Sequence, residues 1–124
     1  MTALEIGKKL VDLCNAGKGM EAVTTLYSDK IVSIEAQGSD QMPARMEGLP
    51  AIKGKNQWWY DNHDVHKSTA TGPFVGHRAD QFAVKFDLDA TPKQTGKRMQ
   101  MSEVALYTVQ GGKVVQEEFL YLVP

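Results

Sequence analysis

The chain has 124 residues and a net charge of −1, with 14 basic and 15 acidic side chains, which fits a single domain spanning 1–124 with one core. The absence of a basic run argues against a nucleic-acid partner, and the one cysteine, Cys14, excludes an internal disulfide. Since the sequence has neither a signal-peptide pattern nor an apolar run long enough to span a bilayer, we expect a cytoplasmic protein that does not bind membranes.

Helical spacing of apolar residues characterises the first third of the chain. Thr2 and Glu5 have the spacing of a capping box, and an apolar stripe that includes Leu10 follows them. We predict helices at 3–16 and 19–27 from this pattern.

The strand after these helices carries the first candidate site residue. Ile31, Ser33 and Glu35 alternate along it and therefore share one face. Glu35 is either a solvated edge residue or a pocket carboxylate with a raised pKa that can move a proton. The order of the surrounding elements favours the pocket.

The middle of the chain begins with a polar, glycine-containing loop over 37–49. Pro50 suits the first turn of a third helix at 50–63, on which Ile52 and Trp59 can both face the core. Alternation and turn residues then predict four mostly antiparallel strands, at 65–71, 82–89, 98–109 and 114–123. The prediction is an α+β fold, a cone in which three helices pack in a curved sheet and leave a blind apolar cavity.

The long strand at 98–109 has one more apolar face, which contains Met101, Glu103 and Tyr107. Either this face packs on the helices with Glu103 paired to a basic side chain, or Glu103 and Glu35 both line the cavity. In the second case repulsion and desolvation hold one of the two carboxyl groups protonated.

The register of the last hairpin decides which aromatic residues join this wall. A pairing of Glu103 with Phe119 places Tyr121 beside Met101, whereas a slip of one residue brings in Leu120 and Leu122 instead. We predict a cavity lined by one set of residues, with the loop 37–49 near its mouth. The set is Glu35, Trp59, Met101, Glu103, Tyr107 and Phe119.

A cluster of histidines and aspartates marks the end of the third helix. Asp61, His63, Asp64 and His66 match no strong zinc spacing, so we predict no metal there. His63 is instead a candidate acid or base at the cavity mouth. The sequence also lacks a phosphate loop and a nucleophile elbow, and we predict no cofactor.

Short motifs along nearly the whole chain resemble the SnoaL-like branch of the nuclear-transport-factor-2-like superfamily, which includes ketosteroid isomerases. These motifs are Asn15-Ala16-Gly17, Tyr27-Ser28-Asp29, Glu47-Gly48 followed by Ala51-Ile52, and Gly112-Lys113-Val114 leading to Phe119 and Tyr121. The resemblance implies the same cone. Because this fold hosts isomerases, cyclases, dehydratases, hydrolases and binding modules, it does not fix the function.

The resemblance to ketosteroid isomerases also implies roles for individual residues. Glu35 corresponds to their catalytic aspartate base, and Glu103 falls near their protonated oxyanion-hole aspartate. Their oxyanion-hole tyrosine corresponds to Leu10, which cannot donate a hydrogen bond, and this departure argues against steroid isomerisation of that type. Tyr107 is the candidate replacement donor.

Two functions remain open. The first is a cofactor-independent isomerase, cyclase or dehydratase that acts on a small apolar carbonyl compound. In it Glu35 removes a proton, Glu103 or Tyr107 stabilises the enolate, His63 assists, and the ligand contacts Trp59, Met101, Phe119 and Tyr121. The second is a small-molecule binding or accessory protein that uses the same cavity without chemistry.

The outer face of the sheet predicts a homodimer. Val104, Leu106, Leu120 and Leu122 form an apolar patch that the helices cannot cover. Two copies related by a two-fold axis would bury it, and the resemblance to the SnoaL-like branch implies such dimers.

Overall fold

Three helices occupy the first half of the chain in the computed structural model, which describes residues 1–40 and 42–123. They are α1 (Ala3–Asn15), α2 (Gly19–Leu26) and α3 (Leu49–Asn62). Thr2 caps α1 in a reciprocal capping box with Glu5, as their spacing predicts. Of the helices in the described ranges, none combines the length and apolar character that crossing a membrane requires.

Six strands follow from Tyr27 onwards. They are β1 (Tyr27–Ile34), β2 (Arg45–Glu47), β3 (His63–Phe74), β4 (Gln81–Pro92), β5 (Met99–Gln110) and β6 (Lys113–Leu120). The short β2 corrects the prediction of an uninterrupted loop over 37–49, a range that includes Gln41, which lies outside the described residues with Pro124. Three residues are too few to show alternation, and β2 forms because it pairs with the edge of β1.

The strands form one mixed sheet in the order β2-β1-β6-β5-β4-β3. Within residues 1–40 and 42–123, all strand pairings are antiparallel except that of β1 with β6. Helix α3 contacts β1 and β2 at one edge and β3 at the other, so the sheet curls around it. This is the predicted α+β class, with helices packed in a curved sheet.

The core lies between the helices and the concave side of the sheet, which we call the inner face. Phe82 and Val84 of β4 and Ala105 and Tyr107 of β5 are buried there, in strict alternation with more exposed neighbours. Leu10 of α1 is fully buried in the same core. The parity predicted for the long strand is therefore confirmed.

The opposite side of the sheet, the outer face, is polar at one end and apolar at the other. At the polar end the Arg98 guanidinium donates two hydrogen bonds to the Asp89 carboxylate, at 2.8 and 2.7 Å. At the apolar end Val104 of β5 pairs with Leu120 of β6, and both are exposed. Of the apolar patch predicted from sequence, Val104 and Leu120 are therefore exposed side by side, whereas Leu106 is half buried and Leu122 lies beyond the end of β6.

Candidate functional site

Strand register places side chains of four strands in rows across the inner face. The deepest row, which we call the dry row, runs through Phe82, Tyr107, Glu117 and Ser33, and each of these is at most 2% exposed. The next row pairs Ala105 with Phe119. Glu103 lies one row further towards the open end, where the inner face is only half buried.

Glu117 is a buried carboxyl group that the sequence interpretation missed. From sequence, Glu117 and its neighbour Glu118 both look like polar residues of the outer face. The structure instead places Glu117 on the inner face, where its carboxyl group accepts a hydrogen bond from the Tyr27 hydroxyl. A register shift between Thr108 and Val109 sets this side of β6. Glu117 and Phe119 are two residues apart and therefore share one face of the strand. Because Phe119 is predicted to face the cavity, the same alternation predicts an inner-face position for Glu117.

Burial raises the pKa of the Glu117 carboxyl group, although hydrogen bonds from Tyr27 and Ser33 and the charge of Lys55 act in the opposite direction. The same environment raises the pKa of the Tyr27 hydroxyl well above its usual value, because burial and the Glu117 charge both disfavour a phenolate. The dry row therefore holds polar groups that satisfy one another away from water.

Lys55 is the second residue that sequence reasoning missed. Its ammonium group donates to Ser33 Oγ at 2.9 Å, and its Nζ forms an ion pair with Glu35 Oε1 at 2.6 Å. The same Nζ lies 5.1 Å from the centre of the Phe119 ring. Sequence reasoning passes over Lys55 because a lysine on a helix is usually solvated. Its position one helical turn before Trp59, on the side of the helix predicted to face inward, is the feature that could have indicated its role.

Glu35 follows the last residue of β1 on the same side as Ser33, and its backbone N–H donates to the Ala44 carbonyl at 2.8 Å. The carboxylate of Glu35 forms its ion pair with Lys55. Two arginines of the chain have other partners: Arg45 pairs with Glu47, and Arg98 pairs with Asp89. The carboxylate is thus held at the edge of the inner face, half buried.

Glu103 lies on the same inner face as Glu35, whose charge acts on it. Burial raises the pKa of its carboxyl group to about 7, with a further upward contribution from the Glu35 charge and a smaller opposing one from Lys55. Among the hydrogen bonds and ion pairs of residues 1–40 and 42–123, none involves this carboxyl group. The two carboxyl groups therefore share the inner face, one ion-paired and one with a raised pKa.

The remaining candidate acid-base residues lie at the two ends of the inner face. Tyr107 is in the dry row, stacked on Phe82 at 4.9 Å, and burial raises the pKa of its hydroxyl well above the usual value. His63 is at the end of α3, stacked on Trp59 at 4.2 Å, and its Nδ1 donates to the Trp59 carbonyl at 2.8 Å. This bond places the proton on Nδ1 and leaves Nε2 as the acceptor nitrogen of the neutral ring.

Of the predicted ligand-contacting residues, Met101 and Phe119 keep their predicted face, whereas Tyr121 lies beyond the end of β6 and not beside Met101. Phe119 pairs with Ala105 and not with Glu103, a difference of two residues that preserves parity and so keeps the ring on the inner face. Tyr121 follows the end of β6 close to Glu35, whose charge adds to burial in raising the pKa of the tyrosine hydroxyl. Met101 is half buried opposite Leu88.

Two surface depressions of about 450 Å³ each lie away from this cluster. One is on the outer face and the other is beside the start of β1. The first is bordered by Lys67, Thr69, Asp87, Leu88, Asp89, Gln100, Met101 and Ser102, and the second by Thr24, Tyr27, Ser28, Asp29, Lys30, Leu49 and Lys113. Among the described residues, Met101 is the one member of the predicted cavity that borders either depression. The cavity therefore stays a prediction.

Comparison with solved structures shows similarity over nearly the whole fold. A crystal structure of a candidate SnoaL-like polyketide cyclase from Mesorhizobium loti is 42% identical, covers 98% of this chain and 100% of that chain, and has a TM-score of 0.90. A candidate isomerase from Bacillus subtilis is 22% identical over 94% of this chain and 84% of that chain, with a TM-score of 0.71.

A third similar structure is a protein from Mycobacterium tuberculosis in complex with estradiol-17β-hemisuccinate. It is 15% identical over 99% of this chain and 96% of that chain, with a TM-score of 0.75. At this identity the likeness, as with the Bacillus subtilis protein, concerns the fold alone.

A family model extends the comparison from structures to sequence. No curated protein matches the chain. The model of the SnoaL-like domain, however, matches residues 1–121. With that match and a relative at 42% identity, the chain belongs to the SnoaL-like domain family, as the motifs in its sequence predict.

Proposed function

We propose that this protein is a cofactor-independent acid-base enzyme, of the isomerase, cyclase or dehydratase type, that acts on a small carbonyl compound. One observation carries the proposal. Burial raises the pKa of Glu103 to about 7, and the charge of Glu35, which is ion-paired with Lys55, contributes to this rise. Two nearby carboxyl groups in different environments are the arrangement that acid-base catalysis needs near neutral pH.

In the proposed reaction Glu35 removes a proton from the carbon next to the carbonyl group. The electron pair of the broken C–H bond forms a double bond to the carbonyl carbon, and the carbonyl oxygen becomes an enolate oxygen. Neutral Glu103 donates a hydrogen bond to that oxygen, which replaces the donor that Leu10 cannot supply. Tyr107 is the second candidate donor, and His63 Nε2 is the candidate group for proton exchange at the mouth.

The ligand would lie against the half-buried apolar part of the inner face. Trp59, Met101, Phe119 and Tyr121 supply this surface. The fold is compatible with such a ligand, since a distant relative is seen in complex with estradiol-17β-hemisuccinate. A small carbonyl compound whose carbon skeleton packs on this apolar surface is therefore the ligand class we propose.

Proton exchange tests this function without knowledge of the natural substrate. Incorporation of deuterium from D₂O next to the carbonyl group of cyclohexanone, 2-oxobutanoate and methyl 2-oxobutanoate is followed by ¹H NMR. We expect exchange that E35Q slows by about a hundredfold or more. The wild-type rate should fall above pH about 7, where Glu103 ionises.

The matched control is E118Q, which changes a neighbouring glutamate outside the inner-face cluster and should leave exchange unchanged. If E35Q and the wild type exchange every probe at the same rate, the enzymatic proposal is wrong.

The ion pair between Lys55 and Glu35 favours the second candidate, a ligand-binding protein without chemistry, because it engages one oxygen of the proposed base. In that case an apolar ketone binds, as shown by ligand-observed NMR, and the pocket variant F119A weakens binding. Exchange then stays at the rate of the protein-free solution.

We also propose a homodimer through the apolar end of the outer face. Val104 and Leu120 pair across β5 and β6 and are 38% and 49% exposed. Sedimentation at micromolar concentration should give twice the chain mass for the wild type and one chain mass for L120K. Q57K, a similar change on exposed α3, should remain dimeric, and a monomeric wild type contradicts the proposal.

A further inference from the structure

Lys55 and Glu35 are the one oppositely charged pair of the inner face among the described ion pairs. The two side chains are 15% and 23% exposed, so both have lost most of their contact with water. Oε1 of Glu35 accepts from the ammonium group, so a ligand proton has freer access to this oxygen when the ammonium group takes another partner.

The position of Lys55 does not depend on Glu35 alone. The hydroxyl group of Ser33, which is fully buried, accepts a hydrogen bond from Nζ at 2.9 Å, and Nζ lies over the Phe119 ring, 5.1 Å from the ring centre. Glu35 in contrast lies beyond the last residue of β1. Lys55 would therefore keep two contacts on the inner face if another carboxylate took the place of Glu35.

The charge of Lys55 reaches the other two carboxyl groups of the inner face as well. It acts on both Glu103 and Glu117, against the effect of burial. An anionic ligand that enters this cluster would meet three carboxyl groups and one cation. In this cluster of described residues, Lys55 supplies the positive charge that can pair with a ligand carboxylate.

We propose that the ligands of this site are small oxo acids, whose carboxylate replaces Glu35 as the partner of Lys55. The inference rests on the proposed function. Since Nζ and Oε1 are 2.6 Å apart, the ligand carboxylate and its acidic C–H bond must be separated by few bonds. A 2-oxo acid meets this requirement, because carboxylate, carbonyl group and C–H are consecutive along its chain.

The exchange of partners prepares the proton transfer. With Lys55 on the ligand carboxylate, Glu35 is released next to C3 of the oxo acid. The C3–H bond breaks, its proton goes to Glu35, and its electron pair forms the C2–C3 double bond. The carbonyl electrons move to oxygen, which accepts a hydrogen bond from neutral Glu103. Return of the proton, or of a deuteron from solvent, completes the cycle.

The test compares 2-oxobutanoate with its uncharged methyl ester. In binding titrations the wild type should bind the acid at least about tenfold more tightly than the ester, because a charge-assisted hydrogen bond is lost in the ester. K55M and K55Q should remove this preference. K53M, on the same helix, is the matched control and should keep it, and circular dichroism establishes that each variant is folded.

Several outcomes overturn the inference. These are equal affinity of the wild type for acid and ester, no binding of the acid at millimolar concentration, and a preference that persists in K55M and K55Q. Should the Lys55 variants not fold, the comparison of acid and ester in the wild type decides alone.

The same reagents separate this inference from the proposed function. Glu35-dependent deuterium exchange of the ester or of cyclohexanone, with no preference for the acid, overturns the oxo-acid inference and leaves the enzymatic proposal standing. A preference for the acid that needs Lys55, without Glu35-dependent exchange of any probe, overturns the enzymatic proposal and supports the assigned ligand contact.

Discussion

Strands β4 and β5 carry carboxyl groups on both faces of the sheet, and the two faces treat them in opposite ways. On the inner face burial raises the pKa of Glu103 to about 7. On the outer face the hydrogen bonds from Arg98 lower the pKa of Asp89 to about 2, and a hydrogen bond from Ser102 lowers that of Asp87. The backbone is shared, so the difference comes from solvent access and from the partners that each face supplies.

The largest expected effect concerns packing on the inner face. F82A removes a ring that is 1% exposed and stacked on Tyr107, and should lower the free energy of unfolding by about 3–5 kcal/mol. K85A on the outer side of the same strand should change it by less than about 0.5 kcal/mol. Urea denaturation of the three proteins measures both values. Equal effects would contradict the distinction between the faces.

The second prediction concerns the pH dependence that Glu103 confers. Its pKa is raised in the folded state from the ordinary 4.5 to about 7, so between these pH values the folded protein binds more protons than the unfolded chain. Stability should therefore fall as pH rises through this window, at a cost on the order of 3 kcal/mol above it. E103Q should remove the part of this slope that Glu103 contributes.

The comparison between wild type and E103Q in urea from pH 4 to pH 8 isolates this contribution, because Glu117 titrates in both proteins. D89N on the outer face is the matched control, since Asp89 titrates below this window. A wild-type slope that E103Q leaves intact would show that Glu103 is not the group responsible.

The third prediction concerns the hydrogen bond that the Tyr27 hydroxyl donates to Glu117 of the dry row. Y27F removes the hydroxyl that donates to Glu117 and should lower the free energy of unfolding by about 1–3 kcal/mol at pH 7. It should also raise the pKa of Glu117 further, since this bond lowers it. The loss should shrink in acid, where Glu117 is neutral. Y60F, at an exposed tyrosine, should cost far less.

The smallest expected effect concerns the outer-face ion pair. R98A removes both hydrogen bonds to Asp89, and the pKa of that carboxyl group should return towards its usual value. Because the depressed pKa favours the fold above the unfolded value, the contribution of the pair is present at neutral pH and is lost as pH falls towards 2. Carboxyl NMR titration measures the shift directly, and stability at pH 7 should hardly change.

The sequence was most informative where structure is local. Period and capping located the three helices, and alternation placed Glu103 and Tyr107 on the same face as the buried side of β4. These properties depend on neighbours a few residues apart, so they can be read without knowledge of the fold.

Long-range contacts were the part that the sequence could not supply. Lys55 lies on α3 and contacts Ser33 of β1 and Glu35, which follows β1. Helical spacing identifies the buried side of a helix but not the residues that this side contacts. The partner of Phe119 depends on a register shift between β5 and β6, which no local pattern encodes. Three-residue β2 exists through its pairing with β1. The chemistry of the site was therefore the least predictable part of the molecule.

The parallel pairing of β1 with β6 has a kinetic consequence. It joins segments far apart in the chain, and the hydrogen bond between Tyr27 and Glu117 closes a separation of 90 residues. Forming such contacts requires the entropy of a long loop to be overcome, so they are expected to be made late in folding. Ser33 and Glu117 come together only through this pairing of β1 with β6. A raised pKa of the Glu117 carboxyl group should therefore indicate that the whole sheet has formed, and not merely the local hairpin of β5 and β6.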